Sequence, residues 1–325
     1  MIVRFGYVAI PLELGDKGKT SGTVTYKNYE KMQNADEKMN KLKAVTLKNL
    51  DNLGNAINYN IENEIHFYRI TSALIPLVTH PNVGYWGHRE IFKKNFQYIG
   101  RLIEKSNMRV DTHPDQFNVI NSTNEEVVKN TVINLMEHVN LFEDLNYDKG
   151  MMVIHVGGAA GGKEEGLQRF IDNLKSYPES IKERLIIEND DKIYNSLDVL
   201  KLCSEINAPM VLDVHHYMCN NCGEDLSEVV AGCFATYKGK KVIPKIHFSS
   251  PKDGECDRKH ADYINVDDFI SFLKVAKGIE TDDKEIEFDI MIEAKKKDIA
   301  MFKLIDDIKS FKPEYLWIDK TTLRV

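Results

Sequence analysis

Six short apolar runs in this chain each end in a charged residue, a histidine or both, and that pattern limits what the chain can fold into. The clearest are Val110-Asp111-Thr112-His113, Met152-Val153-Ile154-His155 and Leu185-Ile186-Ile187-Glu188. They continue with Val211-Leu212-Asp213, Ile243-Pro244-Lys245-Ile246-His247 and Ile290-Met291-Ile292-Glu293. Buried parallel strands read as continuous apolar stretches. In α/β folds, ligands gather at the carboxyl ends of such strands. One polar terminus per strand, repeated along the chain, implies a metal or active site at one mouth of a barrel.

Strands are expected at 2–9, 66–70, 108–112, 151–156, 184–189, 209–214, 243–248 and 287–292. Helical periodicity fills 36–59, 125–145, 195–206, 265–276 and 298–308, with Asn195, Asn265 and Asp298 suited to helix N-caps. Strand alternating with helix means a parallel sheet, and eight such units mean a closed barrel. The expectation is one domain over residues 1–325, a single (β/α)8 TIM barrel with long loops at its C-terminal mouth. Those loops are read at 11–35, 214–223 and 249–264. The stretch Gly15-Asp16-Lys17-Gly18-Lys19-Thr20 lacks phosphate-loop spacing, so no nucleotide cofactor is expected.

No apolar run approaches the roughly 20 residues of a membrane span, and the first residues do not read as a signal peptide. A cytoplasmic location is expected, with no membrane partner. Five cysteines then read as reduced thiols. Cys219 and Cys222, with Cys233 and Cys256, are a weak candidate for structural zinc. The net charge of −7 argues mildly against a nucleic-acid partner, but bound divalent ions would cancel most of it.

The strong ligand types at or near strand ends are His80, His113, His155, His216, His247, His260, Glu188, Asp213 and Glu293. A mixed histidine and carboxylate set suits zinc, manganese or iron. Singly, such a histidine is more often a bonded core residue, and such a carboxylate an N-cap. Together they exceed the needs of one ion and call for two or three, as in phosphoryl hydrolysis. His66, His88, His138 and His215 lack the pattern and read as structural or surface residues. Lys245 shares a strand face with His247. It is either an ammonium neutralised by a carboxylate inside the barrel, or a desolvated amine open to carbamylation by CO2.

Longer motifs carry a resemblance. They are Arg4-Phe5-Gly6-Tyr7, Phe67-Tyr68-Arg69-Ile70-Thr71-Ser72, Thr79-His80-Pro81 and His113-Pro114-Asp115-Gln116. They continue with His155-Val156-Gly157-Gly158, Glu188-Asn189-Asp190, Asp213-Val214-His215-His216, Lys245-Ile246-His247-Phe248-Ser249 and Met291-Ile292-Glu293-Ala294-Lys295. Over most of its length the chain resembles the UV damage endonucleases, relatives of the endonuclease IV barrels. The resemblance implies a hydrolase, a phosphodiesterase that nicks duplex DNA immediately 5′ to cyclobutane dimers and (6-4) products. It implies a three-metal site, usually manganese, on His113, His155, Glu188, Asp213, His216, His247, His260 and Glu293. His80 takes a place beside them, and Lys245 matches a carbamylated, metal-linked lysine. Glu188, Glu293, Lys245 and His80 would serve the chemistry.

Gln116 and Phe117 match a pair that probes the strand opposite the lesion. The family has tyrosine at the second position, so the stacking face survives here and the hydroxyl does not. Tyr7 matches an aromatic near the damaged bases; its other reading is core filling. Lys17, Lys19, Lys27, Lys31, Arg69, Arg89 and Lys252 are candidate phosphate contacts. A dimer stacks and pairs poorly, so extruding it costs less than extruding intact bases. The competing expectations are an apurinic-site endonuclease, a sugar isomerase of the xylose isomerase type, and a metal-stabilised damage-binding protein.

Overall fold

The computed structural model describes residues 1–254, 257–279 and 285–325. Eight parallel strands close into a barrel: β1 (Ile2–Val8), β2 (Phe67–Ile70), β3 (Arg109–Thr112), β4 (Met151–His155), β5 (Leu185–Glu188), β6 (Met210–Asp213), β7 (Lys245–Phe248) and β8 (Glu287–Ile292). Each pairs with its sequence neighbour, and β1 pairs with both β8 and β2. The last stretch of chain adds an antiparallel hairpin, β9 (Leu316–Trp317) and β10 (Thr322–Arg324), which the sequence did not announce. It has a use: residues 2–4 of β1 pair with β10, whereas residues 6–8 pair with β2. The hairpin thus seals the lower half of the seam that β2 closes above. Gly6 is required where that seam is tightest, since a Cβ there would lie 2.4 Å from the Phe67 carbonyl oxygen.

Strand parity decides what each side chain meets. The outward face packs on the surrounding helices, chiefly Ala35–Glu62, Glu125–Asp144, Ser196–Ile206, Val266–Lys277 and Lys297–Phe311. The inward face is split. Met151, Val153, Ile186 and Val211 form a small separate apolar cluster on the β4–β6 side. The β2, β3, β7 and β8 side carries Arg69, Asp111, Lys245, His247 and Asp289, all buried. Buried charge is tolerable only in compensated pairs. Lys245 Nζ lies 2.5 Å from Asp111, and Arg109 clasps Asp289 with both its forks.

Caps explain several boundaries. Asn195 and Asp198 make a reciprocal capping box, and the Asn265 side chain accepts from Asp267 N at 2.9 Å. Asp298 is not the cap of the last helix: Lys296 precedes it, and Asp298 instead accepts from Leu12 N at 2.7 Å and Tyr59 Oη at 3.1 Å. Residues 214–219, read as loop, form a short helix started by Asp213. Among the described residues no helix is long and apolar enough to cross a membrane.

Tyr7 falls on the outward side of β1. It is fully buried, donates to Asn60 Oδ1 at 2.7 Å and lies 5.3 Å from the Tyr68 ring. The core-filling reading is therefore the right one, and Tyr7 presents no face to DNA. Tyr7→Phe leaves Asn60 Oδ1 without its donor in the core. It is expected to destabilise the fold by about 1–3 kcal/mol while leaving DNA affinity unchanged, which thermal unfolding and filter binding check together.

Candidate metal centre

Glu188 ends β5 at the barrel mouth, with its side chain 1 % exposed. Three imidazoles surround its carboxylate. His113 Nε2 lies 2.9 Å and His155 Nε2 3.5 Å from Oε2, and His247 Nδ1 lies 2.6 Å from Oε1. Glu293 approaches from the end of β8, with Oε1 3.4 Å from the same His247 nitrogen. Asp213 stands beside β7, in register with His247. Two candidate metal groups result: His113, His155 and Glu188, and Glu188, Asp213 and His247.

The histidine rings form an arc around the mouth. His113 and His155 are 5.3 Å apart, His155 and His216 5.7 Å, and His216 and His260 6.4 Å. Backbone carbonyls hold three of them. His113 Nδ1 meets Pro114 O at 3.1 Å, His216 Nδ1 meets Asn189 O at 2.9 Å, and His260 Nδ1 meets Glu293 O at 2.7 Å. A carbonyl only accepts, so Nδ1 carries a hydrogen in each, and Nε2 is left as the nitrogen that can give up its proton to bind a cation. This is how metal-binding histidines are oriented. His215 differs: Ser249 and the Asp257 carbonyl occupy its two nitrogens, so it is structural, as read from the sequence.

Asp213 serves two ends. Its Oδ1 accepts from His216 N at 2.8 Å as an N-cap, while Oδ2 is buried with no hydrogen-bond partner among the described residues. The Nδ1 of His155 is buried and unpartnered as well. An orphaned carboxylate oxygen beside inward imidazole nitrogens fits a cation. Electrostatics agree. Burial alone would push Glu188 up, yet His247, His155 and His113 hold it well below the ordinary carboxylate range. Burial likewise opposes ionisation of Glu293, but Arg69 and His247 outweigh it. Burial pulls His216 down, yet Asp213 and Glu188 hold it up at about 9. Concentrated negative potential of this kind attracts metal ions as it attracts protons.

Several expected residues lie elsewhere. Arg69 is no exposed phosphate ligand: it is buried, donating to Glu293 Oε1 and His247 Nε2, each at 2.6 Å, with its Nε 3.7 Å from Asp111. Arg89 is spent on Asp144, Glu143 and Asn140 on the outer helices. Lys245 sits below His247, paired with Asp111 and 4.6 Å above the Phe67 ring. This is the carboxylate-neutralised arrangement. His80 stacks on Tyr26 at 4.1 Å and lines a cleft it shares with Gln116 and Phe117; no contact joins it to the Glu188 cluster among the described residues. Gln116 and Phe117 stand on the loop after β3, with Phe117 75 % exposed. Cys233 turns its thiol to Met210 O at the start of β6, whereas Cys219 and Cys222 follow its end. They cannot share a zinc with it; Cys256 lies outside the described residues.

Fold and mouth together define a (β/α)8 barrel with a rim of histidines and carboxylates that are candidate metal ligands. The UV-endonuclease UvdE family model matches residues 3–316, so the chain belongs to that family. It is 38% identical to "UV DNA damage endonuclease" of Bacillus cereus (strain Q1) over 313 residues, 96% of each chain. The protein of the same name from Bacillus mycoides (strain KBAB4) is equally similar. The crystal structure of SacUVDE superposes with a TM-score of 0.83 at 32% identity, covering 95% of this chain and 99% of that one. Endonuclease IV from Thermus thermophilus shares the fold, with a TM-score of 0.55 at 14% identity over 96% of this chain and 99% of that one.

Replacing Glu188 by glutamine removes the anion on which three histidines converge. Metal content by elemental analysis is expected to fall, and any metal-dependent turnover to drop by about 10³ or more. A variant with full metal content and full turnover would remove Glu188 from the centre.

Proposed function

We propose that this chain is a divalent-metal-dependent DNA repair endonuclease that nicks duplex DNA on the 5′ side of UV photoproducts. The observation that carries the reading is the arrangement around Glu188: three imidazole nitrogens and two further carboxylates gather about one buried carboxylate at an open barrel mouth. Two or three ions, manganese first among the candidates, would sit on His113, His155, Glu188, Asp213, His216, His247, His260 and Glu293. When bound, they supply charge for a phosphodiester oxygen and a water of lowered pKa.

The protein's own contribution is placement. Glu188 and Glu293 fix the ligands, and backbone carbonyls fix the imidazole tautomers. Gln116 and Phe117 are the proposed wedge. Asp115 Oδ1 accepts from Phe117 N at 2.9 Å, which sets the loop tip while leaving the ring in solvent. Beside it lies a cleft of about 770 Å³, lined in part by Thr71, Leu77, His80, Gln116, Phe117 and Val119. Room for extruded bases next to an exposed ring suits selection by weak stacking rather than by base identity. A sugar isomerase has no use for that ring. Endonuclease IV chemistry on abasic sites is the second reading, favoured only by the shared barrel. Carbamylation of Lys245 enters the proposal if Asp111 turns from Lys245 toward Arg69 Nε; electron density extending beyond Nζ in a metal-bound crystal tests it.

Supercoiled plasmid distinguishes these. With manganese, UV-irradiated plasmid is expected to be nicked far faster than abasic or intact plasmid, and excess EDTA to stop it. Nicking that survives EDTA, or equal nicking of intact plasmid, contradicts the proposal. Stacking by one aromatic is worth about 1–3 kcal/mol per base, so Phe117→Ala should weaken lesion affinity roughly 5- to 150-fold. Phe117→Tyr should be near neutral. Unchanged affinity in the alanine variant would exclude the wedge.

A further inference from the structure

The turn between β8 and the last helix carries three consecutive lysines, Lys295, Lys296 and Lys297, directly after Glu293 and Ala294. Backbone bonds pin it to the loop that bears His260. Lys295 N donates to Ala261 O at 3.0 Å and Lys296 N to Asp262 O at 3.1 Å, while His260 itself bonds Glu293 O. From the other side, Asp298 is buried and holds Leu12 N of the loop after β1. Fixed at both ends, the turn forces Lys297 to φ +49°, in the left-handed region that favours glycine. A lysine kept there against backbone preference invites a functional reading.

Its side chain is only half-buried, unlike the exposed Lys295 and Lys296. Among the described residues its Nζ has no hydrogen-bond or ion-pair partner. Burial, Arg69 and Lys295 all disfavour its charge, and Glu293 alone favours it. Glu293 is committed to Arg69. The ammonium at this edge of the cluster therefore lacks an anion of its own.

We propose that Lys297 is a substrate contact, taking a backbone phosphate of the DNA strand lying across the metal centre, with Lys295 and Lys296 extending the contact outward. The inference rests on the endonuclease reading above. A phosphate supplies the missing counter-anion and does so only when DNA is bound. The chain's net charge of −7 makes such a local cationic turn at the mouth more necessary.

Lesion-DNA affinity is measured against salt concentration for the full-length wild type and for Lys297→Met, Lys297→Arg and Lys297→Gly. Metal content and Tm are measured alongside. One lost phosphate contact lowers the salt slope by about 0.9, and affinity should fall about tenfold. Lys297→Arg should keep the wild-type slope. Lys297→Gly should lose the contact like methionine while keeping or raising Tm, because glycine relieves the backbone. Lys303→Met, which alters a lysine paired with Asp307 on the outer helix face, is the control and should change nothing. An unchanged slope in the methionine and glycine variants overturns the proposal. So does loss of metal in either variant, which would make Lys297 a support for Glu293. If wild type binds lesion DNA with a normal salt slope but never nicks it, the endonuclease reading fails while the contact still stands or falls on the slope.

Discussion

The structure depends on a single buried anion. Glu188 is 1 % exposed, and a carboxylate so placed is tolerable only if its lone pairs are met by positive or donor groups. Three imidazoles meet it, from β3, β4 and β7, so one side chain ties together the ends of four strands. Below it the barrel interior continues as charges of alternating sign: Arg69 under Glu293, Asp111 beside Arg69, Lys245 on Asp111. The opposite interior wall is purely apolar. The charged column is held rigidly from the side by packing and neutralised along its length, which leaves the cluster at the top preorganised.

Chemistry and recognition are divided between strand ends and loops. Strand register fixes His155, Glu188, Asp213 and His247 at their strand ends, while backbone carbonyls hold His216 and His260 on the segments that follow. The exposed Phe117 stands above the same mouth on a loop that is itself restrained, since Asp115 bonds its backbone and Asn121 fixes the following stretch to Gly158. A loop aromatic can meet distorted DNA only if its support is stiff. The cleft beside Phe117 and the lysine turn after β8 belong to the same loop-bearing end of the barrel.

Much of this was legible because apolar continuity and 3.6-residue periodicity are local signals. All eight strands fell within a residue or two of their expected positions, and the helices Ala35–Glu62 and Glu125–Asp144 matched their periodic stretches. Six of the metal candidates, His113, His155, Glu188, Asp213, His247 and Glu293, gather around the Glu188 and His247 side chains. What failed depended on partners far away in sequence. Tyr7 sits at a strand end, but its direction is set by Asn60 on a helix more than fifty residues on. Arg69 looked like a phosphate ligand because nothing local shows that Glu293 and His247 bind it. Lys296 and Lys297 drew no reading from the sequence, since φ at Lys297 follows from backbone bonds to residues 261 and 262. The β9–β10 hairpin was missed because its strands are too short to show a period.

Anomalous diffraction from crystals grown with manganese tests the central claim most directly. Peaks should appear between the Glu188 carboxylate and the Nε2 atoms of His113 and His155, and toward the unpartnered Oδ2 of Asp213, with the Nδ1 atoms of His113, His216 and His260 still on their carbonyls. A mouth without peaks at saturating manganese, with His113 and His247 still bonded directly to Glu188, would mean that these residues form a structural ion-pair network and no metal centre.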